Sequence, residues 1–414
     1  MSPSQTVDPI AKGFPSSHVL ILATGGTICM IEGPKGLVPT GNFLERAMAP
    51  RSIFNDMSGQ DIKLQAYQNG KLVHLPSLRT PPTKEKRHIR YCVMESDPLL
   101  DSSSMSASDW ASMARCIQEN YHLFDGFVIL HGTDSLAFSA SALSYMMRNL
   151  GKSVILTGSQ SPIFALPSDA ENNLLGSLIL AGSFAIPEVG LFFHHKLYRG
   201  NRTIKVSSTD FAAFASPKCE PLAEVNGLGI TVNWPLVIRQ TGMAEFQIQK
   251  HLDTTHVACV RIFPGIKPEM MDAVLRLPDL RGLVLETFGM GNVPGGGDGR
   301  LIKVIEAAVQ RGVIIVSVSQ CLSGYASPLY AAGTELGRVG VIFGLDITVE
   351  AALTKLCYLL ALPGLTNSEI RKRFSRPLRG EMMELDHAAY SHADAASDSG
   401  ASHPMATESP QPDL

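Results

Sequence analysis

A chain of 414 residues, 45% hydrophobic and 18% charged, holds more apolar material than one ordinary core accommodates, which predicts about two domains and excludes a disordered protein. The formal charge of −3, with no long basic run, excludes a nucleic-acid-binding surface. Seven cysteines without a CxxC pair and twelve histidines without an HExxH spacing argue for free thiols in a reducing compartment and against a disulfide framework or a metal site.

Residues 1–17 are rich in Pro and Ser and are expected to be disordered. They lack the basic-then-apolar order of a secretory signal, and no stretch reaches the length of a transmembrane helix, so a cytoplasmic location is expected. The first strand is Val19–Ala23, which runs into the turn TGGT, with Gly25, Gly26 and Thr27 just past its carboxyl end. Paired glycines let the backbone turn sharply and approach a ligand. The next segment, MIEGPKGLVPTGNF, has too many glycines and prolines for a regular helix and predicts a mobile flap.

From Leu44 to Met94 the signals are mixed, and Pro76–Arg90 reads as a solvated basic loop. Leu99 and Leu100 end a strand, Asp101–Ser104 form a loop, and Ser106 or Ser108 caps a helix. Strand Phe127–Leu130 repeats the first design, ending in HGTDS with Gly132, Thr133 and Asp134. A helix from about Ser135 carries Leu136, Ala140, Leu143, Met147 and Leu150 on one face. Strand Ser153–Gly158, helix Ala170–Gly182 and strand Glu188–Phe193 continue the alternation. Strands alternating with helices predict an α/β fold with a mainly parallel sheet covered on both faces.

The first domain is therefore placed at 18–216 and a Gly- and Pro-containing linker at 217–255. A smaller α/β domain at 256–384 contains VACVRIF, a helix near Met270–Leu277, GLVLETF, a helix Lys303–Arg311, VIIVSVSQC, and helices Thr348–Leu360 and Ser368–Phe374. Residues 385–414, rich in Ala, Ser, Asp, His and Pro, are expected to be a disordered tail.

Two threonines at strand ends, Thr27 and Thr133, are candidate nucleophiles, because each hydroxyl would gain nucleophilicity from a base within reach. Asp134 adjoins Thr133, and Lys205 lies in the polar loop LYRGNRTIK after another strand. A Thr–Lys–Asp relay would serve such a hydroxyl, and the amides around Gly26 and Gly132 could stabilise an oxyanion. The combination points to acyl transfer at an amide or ester carbonyl. Each part has a plainer reading: a turn or cap for the threonines, a solvated charge for Lys205, a loop for Asp101, Ser102 and Ser103. The sequon at Asn201–Thr203 reads as accidental, and Pro294–Gly299 as a flexible turn without the GK[ST] of a phosphate loop.

These motifs, in order, resemble the bacterial-type asparaginase/glutaminase family, and specifically its cytosolic type I branch. The resemblance spans Val19 to about Arg379 and rests on ILATGGTI, PLLDSSSM, FVILHGTDS, VILTGSQSPI, LYRGNRTIK, FASP, GMGN and TVEAALTKL. It implies that Thr27 is the primary nucleophile on the side-chain amide of L-asparagine, with Thr133, Lys205 and Asp134 moving protons and activating water. It further implies that Asp134 meets the substrate's α-amino group and Ser102 its α-carboxylate, with Asp101 and Ser103 lining the pocket. Asn292 of GMGN would come from a neighbouring subunit of a homodimer or homotetramer, and no cofactor is required. Two departures stand out. Leu37 occupies the place where some members carry a flap tyrosine. Glu286 stands where the regulated bacterial enzymes carry an effector-binding arginine, so that effector site is expected to be lost or altered. A mixed glutaminase-asparaginase is the alternative activity, because one methylene is worth only about 1–3 kcal/mol of discrimination. A non-catalytic asparagine sensor is the alternative class; the presence of Thr27, Thr133, Asp134 and Lys205 together argues against it.

Overall fold

The computed structural model describes residues 13–34, 36–59, 61–240, 242–294, 299–327 and 331–384. In chain order the large domain comprises β1 (Ser16–Gly25), the hairpin β2 (Met30–Gly33) and β3 (Gly36–Pro39), β4 (Lys63–Gln68), β5 (Lys71–Arg79) and β6 (His88–Leu100). It continues with α1 (Ala107–Asn120), β7 (Gly126–Leu130), α2 (Leu136–Met146), β8 (Met147–Arg148), β9 (Ser153–Thr157), α3 (Ala170–Ser183), β10 (Val189–Phe193) and β11 (Lys196–Arg199). The short strands β12 (Ile204–Lys205) and β13 (Phe214–Ala215) and the hairpin β14 (Ala223–Asn226) and β15 (Gly229–Val232) complete it. After β16 (Gln247–Ile248) the small domain runs β17 (Val257–Arg261), α4 (Pro268–Leu275), β18 (Gly282–Thr287), α5 (Arg300–Gln310), β19 (Ile314–Ser319), α6 (Ala331–Arg338), β20 (Ile342–Phe343), α7 (Val349–Ala361) and α8 (Asn367–Phe374).

The large sheet has the strand order β15-β14-β11-β10-β9-β7-β1-β6-β5-β4. Its centre, β10-β9-β7-β1-β6, is parallel, and antiparallel strands extend both edges. Alternation along β1 divides the core. Leu20 and Leu22 face the layer built from α1, α2 and α7, whereas Val19, Ile21 and Ala23 face the α3 layer. The small sheet, β17-β18-β19-β20, is parallel throughout. Val284 and Val316 of that sheet join the same core as Leu20, so one apolar layer runs continuously through both domains. Its polar members are paired across the seam: Ser141 Oγ lies 2.8 Å from Thr354 Oγ1, and Tyr145 donates to Ala351 O at 3.3 Å.

Several expectations change. Ser16 and Ser17 already belong to β1, pairing with His88 and Ile89, and residues 1–12 lie outside the described residues. Pro76–Arg90 is not a loop throughout: Pro76–Arg79 end β5 and His88–Arg90 begin β6. Only the stretch between them turns, and Arg90 is buried, donating to Ser77 Oγ at 3.1 Å. Within the expected linker 217–255, β14 and β15 extend the large sheet, because Lys196 and Leu197 of β11 pair with Glu224 and Ala223. The helix after Ser135 ends at Met146, since Met147 and Arg148 pair with β16 instead. It is buried nearly all round rather than on one face, being held between the sheet and α7. The expected tail 385–414 and residues 295–298 of the Gly-rich turn lie outside the described residues.

Candidate active site

Strands β6, β1, β7 and β9 are parallel neighbours, so their carboxyl ends open on one edge of the sheet. That is the edge where open α/β sheets bind ligands. Asp101–Ser103 follow β6, Thr27 follows β1, Thr133 and Asp134 follow β7, and Gly158–Gln160 follow β9. Four sequence motifs spread along the chain from Thr27 to Gln160 therefore meet because of strand order.

Close backbone approach explains the glycines. A Cβ on Gly26 would stand 2.3 Å from Gly132 N, and Gly26 adopts φ 84°, which side chains rarely accept. A Cβ on Gly132 would stand 2.4 Å from Ser102 Oγ, and one on Gly25 2.2 Å from Leu100 O. The TGGT turn, the HGTD turn and the Asp101–Ser103 loop thus lean on one another. Ser135 Oγ fastens the contact by donating to Ser102 O at 2.6 Å.

Thr27 opens a single 3-10 turn, Thr27–Cys29, and is half-buried. Among the described residues none hydrogen-bonds its hydroxyl, which stays available to a ligand. Thr133 is buried, and Lys205 Nζ donates to its Oγ1 at 2.9 Å. The same Nζ donates to Asp134 Oδ1 at 2.8 Å. Asp134 is 66% exposed at its side chain. Lys205, the lysine expected in the relay, is brought by β12 to Asp134 from 71 residues away.

Ser102 is buried, whereas Asp101 is exposed. The Ser103 amide donates to Asp101 Oδ1 at 3.0 Å and holds its carboxyl below the usual range. Asn292 stands apart from this cluster, in the tight turn Phe288–Asn292 beyond β18. Among the described residues no hydrogen bond joins it to Thr27, Thr133 or Ser102. The expected flap is the β2–β3 hairpin, in which Leu37 pairs with Glu32 and is exposed. Asn201 is buried and donates to Arg379 O at 3.0 Å, which closes the sequon to modification.

Reading the sequence alone passes over His131, inside the HGTD motif. Its ring is wholly buried, and that burial pushes its pKa down to about 4. Trp110 Nε1 donates to Ser139 Oγ at 2.8 Å, so Ser139 turns its own hydrogen to His131 Nε2, also at 2.8 Å. The neutral ring then carries its proton on Nδ1 and donates to Gly132 O at 2.7 Å. This chain of bonds fixes the Gly132–Thr133 peptide from behind. The available signal was a histidine closing an otherwise apolar strand.

Comparison with known proteins follows the division into two domains. Residues 18–238 match the family described as Asparaginase, N-terminal, and residues 256–374 the Glutaminase/Asparaginase C-terminal domain. L-asparaginase 1 of Escherichia coli is 38% identical over 89% of this chain and 98% of its own. The 60 kDa lysophospholipase of Mus musculus is 41% identical over 89% of this chain, which spans only 63% of that relative's length. The crystal structure of L-asparaginase I from Vibrio cholerae superposes with a TM-score of 0.74 at 37% identity, covering 89% of this chain and all of the other. The strand-end threonines, the lysine that bridges one of them to a carboxylate, and these matches across both domains together place the chain in the asparaginase family of amidohydrolases, on its type I branch.

Proposed function

We propose that this protein hydrolyses L-asparagine to L-aspartate and ammonia through an acyl-enzyme on Thr27. The observation that carries the reading is the hydrogen-bonded set Thr133–Lys205–Asp134, placed on the same sheet edge as an unengaged Thr27 hydroxyl. In the first half-reaction Thr27 Oγ1 attacks the side-chain amide carbon, and its proton passes to the leaving nitrogen, which departs as ammonia. In the second, water attacks the ester carbonyl, its proton passes through Thr133 and Lys205, and Thr27 regains its hydrogen as aspartate leaves. The amides around Gly26 and Gly132 supply the oxyanion contacts. Ser102 receives the α-carboxylate, Asp134 the α-amino group, and Asp101 and Ser103 line the pocket. Asn292 reaches the site of a neighbouring subunit in a cytoplasmic homodimer or homotetramer, which accords with the lack, among the described residues, of a hydrogen bond from it to Thr27, Thr133 or Ser102 of its own chain.

Ammonia release from asparagine and, separately, from glutamine tests this, with Thr27→Ala alongside. We expect asparagine turnover that falls by about 1,000-fold or more in Thr27→Ala. Turnover surviving the substitution would move the nucleophile to Thr133, and binding without turnover by the native protein would leave a sensor. Comparable rates on glutamine would favour the mixed glutaminase-asparaginase. The mouse relative's name supplies one further substrate, a lysophospholipid, whose ester the same threonine chemistry could open, read by release of free fatty acid rather than ammonia.

A further inference from the structure

The flap hairpin β2–β3 begins directly after the Thr27–Cys29 turn, and its closing end is less obviously secured. Thr40 N donates to Cys29 O at 2.9 Å, and the Arg46 guanidinium reaches Thr40 Oγ1. Beyond that point Gly41 and Asn42 turn the chain, Asn42 in the left-handed region at φ 58°. The next two amides find a partner from another element. Asn42 N donates to Glu95 Oε2 at 3.0 Å, and Phe43 N to Glu95 Oε1 at 2.5 Å. A single carboxylate thus takes two successive backbone donors, using both oxygens. Gly41 is fitted to the same group, since a Cβ there would lie 3.3 Å from Glu95 Oε2.

Glu95 occupies a particular place on β6. Its parallel pairing with β1 is regular up to Ala23–Glu95 and resumes only at Gly25–Leu100. Two steps of β1 are therefore matched by five of β6, and the surplus brings Leu100 against Gly25 and Ser102 against Gly132. Glu95 is the last regularly paired residue before that excursion. It is half-buried, and among the described residues no lysine or arginine forms an ion pair with it. Among the described residues its hydrogen bonds come from these two amides. Charge-assisted bonds of this kind are about twice as strong as neutral ones.

We infer that Glu95 is a positioning residue that pins the closing end of the flap to the strand carrying the Asp101–Ser103 loop. The flap adjoining Thr27 and the loop receiving the substrate's carboxylate are then set by one anchor, and closure of one is registered to the other. The inference rests on the reading of Thr27 as nucleophile given above, and it adds a residue that touches neither substrate nor reacting atoms.

The test compares native protein with Glu95→Gln and Glu95→Ala, each as the full chain. Steady-state ammonia release gives kcat and KM for asparagine, and backbone hydrogen exchange is followed in peptides covering β1, β2–β3 and β7. We expect kcat/KM to fall by about tenfold or more in Glu95→Ala, because a small misplacement near the chemistry is amplified in rate. Glu95→Gln, which keeps one acceptor oxygen, should recover part of that loss. Exchange should quicken by about tenfold in β2–β3 while β1 and β7 keep native protection. Unchanged flap exchange in Glu95→Ala would overturn the inference. So would equal loosening of β1 and β7, which would mark a merely structural carboxylate. If the native protein releases no ammonia, the asparaginase reading falls, and the exchange pattern still decides whether Glu95 anchors the flap.

Discussion

The His131 ring is the residue whose physics bears most directly on the site. Its pKa near 4 in the folded chain compares with about 6.5 for an unperturbed histidine. Between those values the unfolded chain binds more protons than the folded one, so this group's contribution is fully present above about pH 6.5. It is lost progressively as the pH falls toward 4, with a ceiling of about 3 kcal/mol. Replacing His131→Asn removes the titration while leaving a polar side chain near Gly132 O. Denaturant titrations at pH 7 and pH 4.5 should therefore show a smaller acid-induced loss of stability in the variant than in the native protein. At pH 7 the variant should be less stable by about 1–3 kcal/mol, because Ser139 and Gly132 O lose a buried partner. An identical acid-induced loss in both would show that His131 does not titrate in this way.

At the scale of elements, one hairpin is built against its residue preferences. Phe193 pairs with Lys196 across a two-residue loop, His194-His195, with φ values of 45° and 68°. Two positive φ angles belong to the turn that matches the twist of paired strands, and Asn-Gly is the pair that accepts it most readily. His194 donates its backbone N–H to Asn173 Oδ1 at 3.1 Å, a bond that any residue but proline would keep. The double substitution His194→Asn with His195→Gly should stabilise the protein by about 1 kcal/mol, read as a rise in the denaturant midpoint. A lowered midpoint would mean that the exposed imidazoles hold the turn by contacts of their own.

For the whole molecule, the polar seam between the domains is as specific as the apolar layer beneath it. Lys355 and Glu381 are fully buried and 2.5 Å apart, and the ammonium also donates to Phe374 O and Arg376 O at 2.8 and 2.7 Å. Arg202, three residues before Lys205, pairs with Asp346 at 2.6 Å and donates to Gly380 O at 2.7 Å. The segment after α8 is thereby fastened to both domains. Glu381→Ala should cost about 3–5 kcal/mol by leaving Lys355 without its counterion, whereas Lys355→Met combined with Glu381→Leu should cost less. Thermal unfolding of the three proteins decides the order. A second whole-molecule expectation concerns regulation. Glu286 lies at the end of β18, 3.6 Å from Arg261, on a cavity of about 280 Å³ that Lys205 also lines. A carboxylate there repels an effector's carboxylate, so velocity against asparagine should be hyperbolic. A sigmoidal curve would show that effector binding survives Glu286.

Much of this was legible in the chain itself. Apolar strands followed by Gly-Thr, at Ile21–Thr27 and Phe127–Thr133, declared the sheet edge and the two threonines, because a buried parallel strand must be apolar throughout and its ligand turn must be compact. The helices α1, α3, α7 and α8 were placed from the sequence as well, α1 with its cap at Ser106. The sequence was less informative wherever a partner distant in the chain supplies the energy. β5 and β6 extend into a basic stretch because Arg90 finds Ser77, and α2 is buried on nearly every side because α7 covers the face left open by the sheet. Lys205 reaches Thr133, and Glu95 reaches Asn42 and Phe43, through tertiary folding rather than spacing. By itself the sequence determined which residues could do chemistry and which segments must be buried. Only the tertiary structure decided which of them meet, because the bonds from Lys205 to Thr133 and Asp134 form only once β7 and the β12–β13 hairpin have taken their places.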